Sequence, residues 1–443
     1  MKALFFCWLI LVGTVLGRIE PSEPEIVWKF DVDYAGSIAV ADGRVFIGAV
    51  VDETAGSSLI CLDLKSGTEL WRSKHEPTFR PRGFSYYPIT STPAIAGKLA
   101  YYISANWEFV CVDVEGFRDG KNDGPFQTEA DVSESAADFI WKIDLVEDLG
   151  IEPRMAGDVG YLQPSPIVVG DRVFVVTGNG SDNWRKAVAA PDAPSFLAVD
   201  RHSGAVIWGS SLPGKGIHWM QGGTPAAVGD QQLLWPGGDG FVYALRVENG
   251  ELTGKLDLNE VIGTERQFFT NQFVVDDGTL FTGIGEGMEI MRGSKLRQPL
   301  VAIDIDRLTN GEQNSVRWIY RNELGRIWGT PAVSDGTVFV NFRRNHLVAL
   351  DVDGGTLKWE TTVGFYDDDI SLYTAPLILG DRLYVASVGG EISELNAETG
   401  ERLRYWEFQE SFSEHATPIA TPDGLIVLTR AAAYRLKLGH PGE

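Results

Sequence analysis

Apolar and polar positions alternate with the period of a strand along most of this chain, and short turns interrupt the alternation at regular intervals. Leu347, Ala349 and Asp351 alternate with Val348 and Leu350, the pattern of a strand covered on both faces or nearly so. Asp353-Gly354-Gly355 follows, turn chemistry in which glycine supplies a positive φ without steric cost. Leu357, Trp359 and Thr361 open a second strand, which makes a hairpin with a large aromatic on its far arm. Just upstream, Trp328-Gly329-Thr330-Pro331-Ala332-Val333 and Asp335-Gly336-Thr337-Val338-Phe339-Val340 predict two further strands with an Asp-Gly turn between them. Together the four make an antiparallel meander of roughly 40 residues, the size of one propeller blade.

The unit recurs. Its third strand and turn are read at Cys61-Leu62-Asp63 with Gly67 and Trp71, and at Cys111-Val112-Asp113 with Trp141 after a long insertion. They return at Ala198-Val199-Asp200 with Gly204 and Trp208, and at Ala302-Ile303-Asp304 with Trp318 after an enlarged turn. Two units depart at the tryptophan position, with Gly254 after Ala244-Leu245-Arg246 and Arg404 after Glu394-Leu395-Asn396. The last unit runs from Thr417-Pro418-Ile419 through Gly424–Leu428 to Tyr434-Arg435-Leu436 and lacks a fourth strand. Ile26-Val27-Trp28-Lys29-Phe30 is a fourth strand without the three that should precede it. Pairing the two incomplete ends closes a ring and removes the edges an open sheet would expose. The predicted fold is therefore all-β, an eight-bladed propeller of four-stranded antiparallel blades, shut by the N-terminal strand.

Residues 1–17 read as a signal peptide: Lys2, an apolar run from Leu4 to Val12, then the small-residue stretch from Gly13 to Gly17. Residues 18–25 read as a polar leader and 26–443 as the propeller. No apolar run in the mature part is long enough to span a membrane. Export to a periplasmic or extracellular location is the corresponding expectation.

Each recurring residue has a structural role to fill. A small Ala or Cys on the third strand leaves room for the indole of the fourth strand to dock between blades, and a buried indole N–H needs a carbonyl. The aspartates at 63, 113, 200, 304 and 351 precede tight turns and suit backbone N–H groups there, so they do not read as a catalytic carboxylate set. The pattern Ala-x-Asp-x-x-x-Gly-x-x-x-Trp behind a Thr-Pro strand resembles the docking motif of pyrroloquinoline-quinone-type (PQQ-like) propellers, the quinoprotein dehydrogenase and BamB-like superfamily. The resemblance covers essentially the whole mature chain and speaks to fold more than to chemistry. Its BamB-like branch implies envelope or outer-membrane assembly work.

Charge narrows the partners. The chain carries 61 acidic and 38 basic side chains, a net −23, which argues against nucleic acid or an anionic membrane. Cys61 and Cys111 occupy equivalent positions in neighbouring units and read as buried thiols rather than a disulfide.

Propellers bind at the mouth of the central channel, where the loops leading into the innermost strands converge. Here those loops supply Gln163, His218, Trp219, Gln221, Gln272, Arg326, Trp328, Tyr373 and His415, an aromatic and polar lining for a ligand. In the plainer reading, Trp219 and Trp328 plug the channel and the polar groups are solvated. A PQQ-dependent alcohol or sugar dehydrogenase, the enzymatic alternative that the resemblance implies, needs calcium beside the quinone and a catalytic Asp. No local motif supplies those ligands, no Cys-Cys pair is present, and neither a haem motif nor histidine clustering is readable. Gly116–Gly124 has the acid and glycine content of a calcium loop, but Lys121 stands where an oxygen ligand belongs, so it reads as an acidic surface loop. Gly178–Trp184 is a Gly/Asn-rich turn that lines the mouth or simply joins two strands. The sequence thus predicts an exported, non-enzymatic binding or scaffold propeller of the cell envelope, with a protein partner or small ligand on the channel face. PQQ and calcium belong to the alternative alone. A degenerate sugar- or peptide-binding propeller is the third reading.

Overall fold

Period-2 alternation cut by turns gives sheets rather than helices, and each blade here is a four-stranded antiparallel sheet, with one further two-stranded sheet of Gln267–Phe268 and Gly285–Glu286. The computed structural model describes residues 21–52, 56–75, 88–153, 163–181, 187–218, 221–263, 267–269, 272–286, 299–322, 327, 329–342, 345–364, 374–413 and 416–438. The expected signal segment lies outside them. Eight four-stranded sheets form the ring. Blade 1 comprises Tyr34–Ala41, Arg44–Asp52, Gly56–Asp63 and Glu69–Arg72, and blade 2 Ala94–Ala96, Leu99–Ile103, Glu108–Asp113 and Phe139–Asp144. Blades 3 to 7 begin at Ile167, Ala226, Val274, Ala332 and Leu377. Blade 8 takes Ile419–Thr421, Gly424–Leu428 and Ala432–Lys437 from the C-terminal end and Glu25–Asp31 from the N-terminal end. In that closing pair Lys29 stands opposite Tyr434 and Phe30 opposite Ala433, so the ring shuts as the two incomplete units require.

From blade 2 to blade 8, the first strand of each blade lies beside the first strand of the next, which makes these short strands the inner wall. The core is not one central mass. Eight apolar clusters lie one at each junction between neighbouring blades. Val45, Ile47, Ile60 and Ala433, for example, fill the seam between blades 8 and 1.

One irregularity repeats in every blade. A register shift in the fourth strand inserts an extra residue before the tryptophan position, so Ala349 faces Trp359, Ala198 faces Trp208 and Cys61 faces Trp71. Without that bulge the indole would point to the opposite face of its sheet. With it, each ring lies on the turn of the next blade. Trp28, Trp71, Trp141, Trp208, Trp318 and Trp359 donate their indole N–H to the carbonyls of Leu64, Val114, Arg201, Val247, Val352 and Ala397, at 2.8–3.1 Å. The accepting residue sits one place after the recurring Asp or its substitute. The turn aspartates accept backbone N–H groups as expected: Asp63 from Ser66, Asp200 from His202 and Ser203, Asp351 from Asp353 and Gly354. Cys61 and Cys111 are free and buried behind these rings, and burial pushes the Cys61 thiol up to about 12.

Among the described residues α-helix interrupts the β-architecture in two short places, α1 (Leu258–Ile262) after blade 4 and α2 (Ile305–Thr309) in the turn of blade 5. Helix α2 explains Gly254. A Cβ there would lie 1.8 Å from the Leu308 carbonyl oxygen, so the helical turn occupies the space an indole fills elsewhere. Arg404 has a different cause. In blade 8 the third and fourth strands come from opposite ends of the chain and meet at Lys437 and Glu25, so the described residues offer blade 7 no such turn on which to dock an indole. Arg404 turns instead to Glu394 and lies over Trp406.

Candidate functional site

The channel-mouth face is built from two sets of connections that meet. The loops entering the first strands hydrogen-bond to the turns between second and third strands. Leu145 N–H donates to Trp107 O, His218 N–H to Gly238 O, Val363 N–H to Asn345 O, and Phe408 N–H to Gly390 O, at 2.7–3.1 Å. Backbone groups that would otherwise be orphaned between strands are thereby satisfied.

Four of the nine residues expected to line the mouth are described. Gln163 is buried, and its Oε1 accepts both the Thr90 N–H and the Thr90 hydroxyl at 2.7 Å. The Gln163 N–H returns a bond to Thr90 Oγ1 at 2.9 Å. Gln221 is fully buried; its Oε1 accepts from Gly238 N–H and its own N–H donates to Asn179 O. His218 is half-buried in the same loop, with its carbonyl accepting from Ser181 at 3.3 Å. Gln272 is exposed, and its N–H donates to Thr330 Oγ1. The structure thus brings His218 and Gln221 together and places Gln163 in the seam between blades 2 and 3. Trp219, Arg326, Trp328, Tyr373 and His415 lie outside the described residues.

The Ser/Thr-Pro pairs have a role that their recurrence did not disclose. Three of the hydroxyls accept the N–H of the preceding blade's entry loop or inner strand: Ser165 from Thr92 at 2.9 Å, Thr330 from Gln272 at 3.2 Å, and Thr417 from Ala375 at 3.1 Å. Proline removes the next N–H, so the hydroxyl is left as the group that staples one inner strand to its neighbour. Sequence reasoning also passed over Asp239 and Asn341. Asp239 is buried beside the mouth; burial pushes its carboxyl up, offset in part by the Tyr243 hydroxyl at 2.6 Å. Asn341 is fully buried and donates to Thr374 O at 2.7 Å. Asn341 carries no motif because its partner lies 33 residues away in a loop, whereas Asp239 is held by Tyr243 only four residues on, at the start of the next strand.

The side chains described here brace the face and hold loops in place. Among the described residues no three His, Cys, Asp or Glu converge to hold a metal ion.

A family model described as outer membrane protein assembly factor BamB matches residues 131–307 and 301–440. The chain belongs to the PQQ-like β-propeller family. Its similarity to the outer membrane protein assembly factor BamB of Yersinia pestis is 22% identity over 302 residues, 67% of this chain and 65% of that protein. The matched stretch therefore spans less than two thirds of that relative. Among solved structures, BamB from Moraxella catarrhalis superposes with a TM-score of 0.61 at 14% identity, covering 95% of this chain and 100% of that one. A europium-containing methanol dehydrogenase superposes with 0.61 at 11% identity, over 93% of both chains. Chaetomium thermophilum Sqt1, bound to the N-terminus of the ribosomal protein L10, gives 0.61 at 11% identity over 94% and 100%. At these identities the likeness is one of fold. This PQQ-like propeller thus shares its architecture with an assembly factor, an enzyme and a peptide-holding ring, and its function has to be argued from its own surface.

Proposed function

We propose that this chain is an exported, non-enzymatic binding propeller of the cell envelope that engages a protein partner on its channel-mouth face. The observation that carries the reading is the family match, two stretches covering residues 131–307 and 301–440 under a model described as an outer membrane assembly factor. The mouth supports it. Gln163 and Gln221 are buried in loop-to-loop bonds, which leaves a rigid rim of the kind a protein partner can dock on with little ordering cost. Gln272 stands exposed on that rim and is a natural contact, together with Trp219, Arg326, Trp328, Tyr373 and His415 as the remaining proposed lining.

The test is site-specific photo-cross-linking in intact cells, with the probe at position 272 on the mouth face and at position 353 in a turn on the opposite face. A discrete envelope-protein adduct from 272 and none from 353 is the expected result. Equal labelling from both faces, or no adduct from either, overturns the reading. Purified chain supplied with PQQ and calcium should show no dye reduction with alcohols or sugars. Turnover would make it an oxidoreductase.

A further inference from the structure

The long insertion of blade 2 does more than replace a turn. Its end pairs with blade 1: Arg72 N–H donates to Ser135 O at 3.0 Å and Ala137 N–H to Arg72 O at 3.1 Å. The insertion is therefore strapped across the outer strands of blades 1 and 2, on the circumference of the ring. Beneath the strap lies a cavity of about 490 Å³, within the range of small-molecule sites.

Three cations line this cavity: Arg72, Lys74 and Lys142. Two have carboxylates from the chain itself. Arg72 is clamped by Glu69, and Lys74 faces Asp131 at 4.0 Å. Lys142 has none. Its ammonium sits 3.5 Å from the centre of the Phe139 ring and 5.0 Å from that of Phe126, and it makes no hydrogen bond or ion pair among the described residues. Burial lowers its pKa, and the more distant carboxylates of Glu108 and Glu129 offset this only in part.

We propose that the cavity is a binding site for a small apolar carboxylate, its charge on Lys142 Nζ and its apolar body against Phe126 and Phe139. A carboxylate supplies the direct ion pair that Lys142 does not make with Glu108 or Glu129. The two ring faces favour an apolar body behind it, and the cavity is wide enough to bury one. A phosphate fits less well, because Glu69, Glu129 and Asp131 in the same wall repel a dianion. Two sources carry this chemistry, a free organic acid or the C-terminal residue of a peptide.

Titration calorimetry on the full mature chain tests it with 3-phenylpropanoate, N-acetylphenylalanine, a short peptide ending in phenylalanine, and the amide of each. At least one acid should bind saturably with a Kd tighter than about 1 mM, and its amide at least tenfold more weakly. Lys142→Met should weaken the acid at least tenfold while Lys142→Arg retains it. Binding of the peptide points to a chain terminus, and binding of 3-phenylpropanoate alone to a free acid. In the unmodified protein, the bound acid should shield Lys142, but not the exposed Lys74, from reductive methylation read by mass spectrometry. That readout does not depend on how the variants fold. No saturable binding, equal binding of acid and amide, tighter binding of phenyl phosphate, or unprotected Lys142 at saturation would each overturn the proposal.

Discussion

Trp28 and Leu64 join the two ends of the chain's architecture: the indole N–H of the closing strand donates to the Leu64 carbonyl in the turn of blade 1 at 2.9 Å. The same ring lies on Gly67, where an added Cβ would meet it at 2.6 Å. Six junctions share this geometry, but only at this one does a single indole tie down a strand that belongs to a blade otherwise made by the opposite terminus.

That seam is the weakest by connectivity, so it is where loss should register first. Trp28→Phe removes the hydrogen bond and should cost about 1 kcal/mol. Trp28→Ala also leaves a cavity and should cost about 3–5 kcal/mol. Denaturant midpoints measured by tryptophan fluorescence and by circular dichroism check both. If Trp28→Ala left the midpoint unchanged, the closing strand would not be held by its indole.

Glycine conformation and glycine contact can be separated in blade 6. Gly336 has φ +68° and nothing within 4 Å of an added Cβ, while Gly355 has φ +63° and the Trp318 ring at 2.6 Å. Gly336→Ala should therefore cost only the left-handed strain, about 1 kcal/mol. Gly355→Ala should cost that plus about 1–3 kcal/mol of overpacking. Equal melting temperatures for the two variants would contradict the docking geometry.

Restoring the repeat where it is broken should do harm. At Gly254 the Leu308 carbonyl oxygen stands 1.8 Å from an added Cβ, so even Gly254→Ala must displace backbone of α2. Gly254→Trp, which matches the other blades on paper, should lower the melting temperature more than Gly254→Ala does. Scanning calorimetry of the pair checks the order.

Asp138 should set a pH dependence. It is fully buried, its Oδ2 accepts the Asp123 N–H at 2.9 Å, and its Oδ1 has no partner. Burial, with Glu129, Asp113 and Asp123 nearby, raises its carboxyl to about 6. A raised carboxyl binds its proton more tightly folded than unfolded. Its contribution is complete below about pH 4 and lost as pH rises through about 6. Asp138→Asn keeps an acceptor for Asp123 and removes the buried charge. It should be more stable than the parent by about 1–3 kcal/mol at pH 8, with the gap closing toward pH 4. A gap independent of pH, followed by thermal melts across that range, would rule out this origin.

Much of the ring could be read from the chain because its signals are local. The Asp-to-Gly spacing reports a turn closed within five residues, and the alternation on either side reports buried strands. The orphan Trp28 strand and the truncated last unit implied closure without any contact being known. The mouth was less legible. Gln163 and Gln221 looked like candidates for a ligand because polar residues on entry loops are commonly free. Their partners, Thr90 and Gly238, lie 73 and 17 residues away, a distance over which sequence pattern carries no signal.

What the sequence determined by itself was repetition: strand period, turn chemistry, the docking tryptophan and the number of units, all consequences of short-range sterics and hydrophobic alternation. What only the tertiary structure decided was which blade receives each side chain. The bulge in the fourth strand sends each docking indole across a junction, helix α2 closes the place beside Gly254, and blade 8, whose last two strands come from opposite ends of the chain, leaves Arg404 to pair within its own sheet. The cavity around Lys142 likewise exists only because a strap from one blade lies on the edge of another. These outcomes depend on packing between surfaces far apart in the chain, and packing is specific to the atoms that meet rather than to the pattern that brought them there.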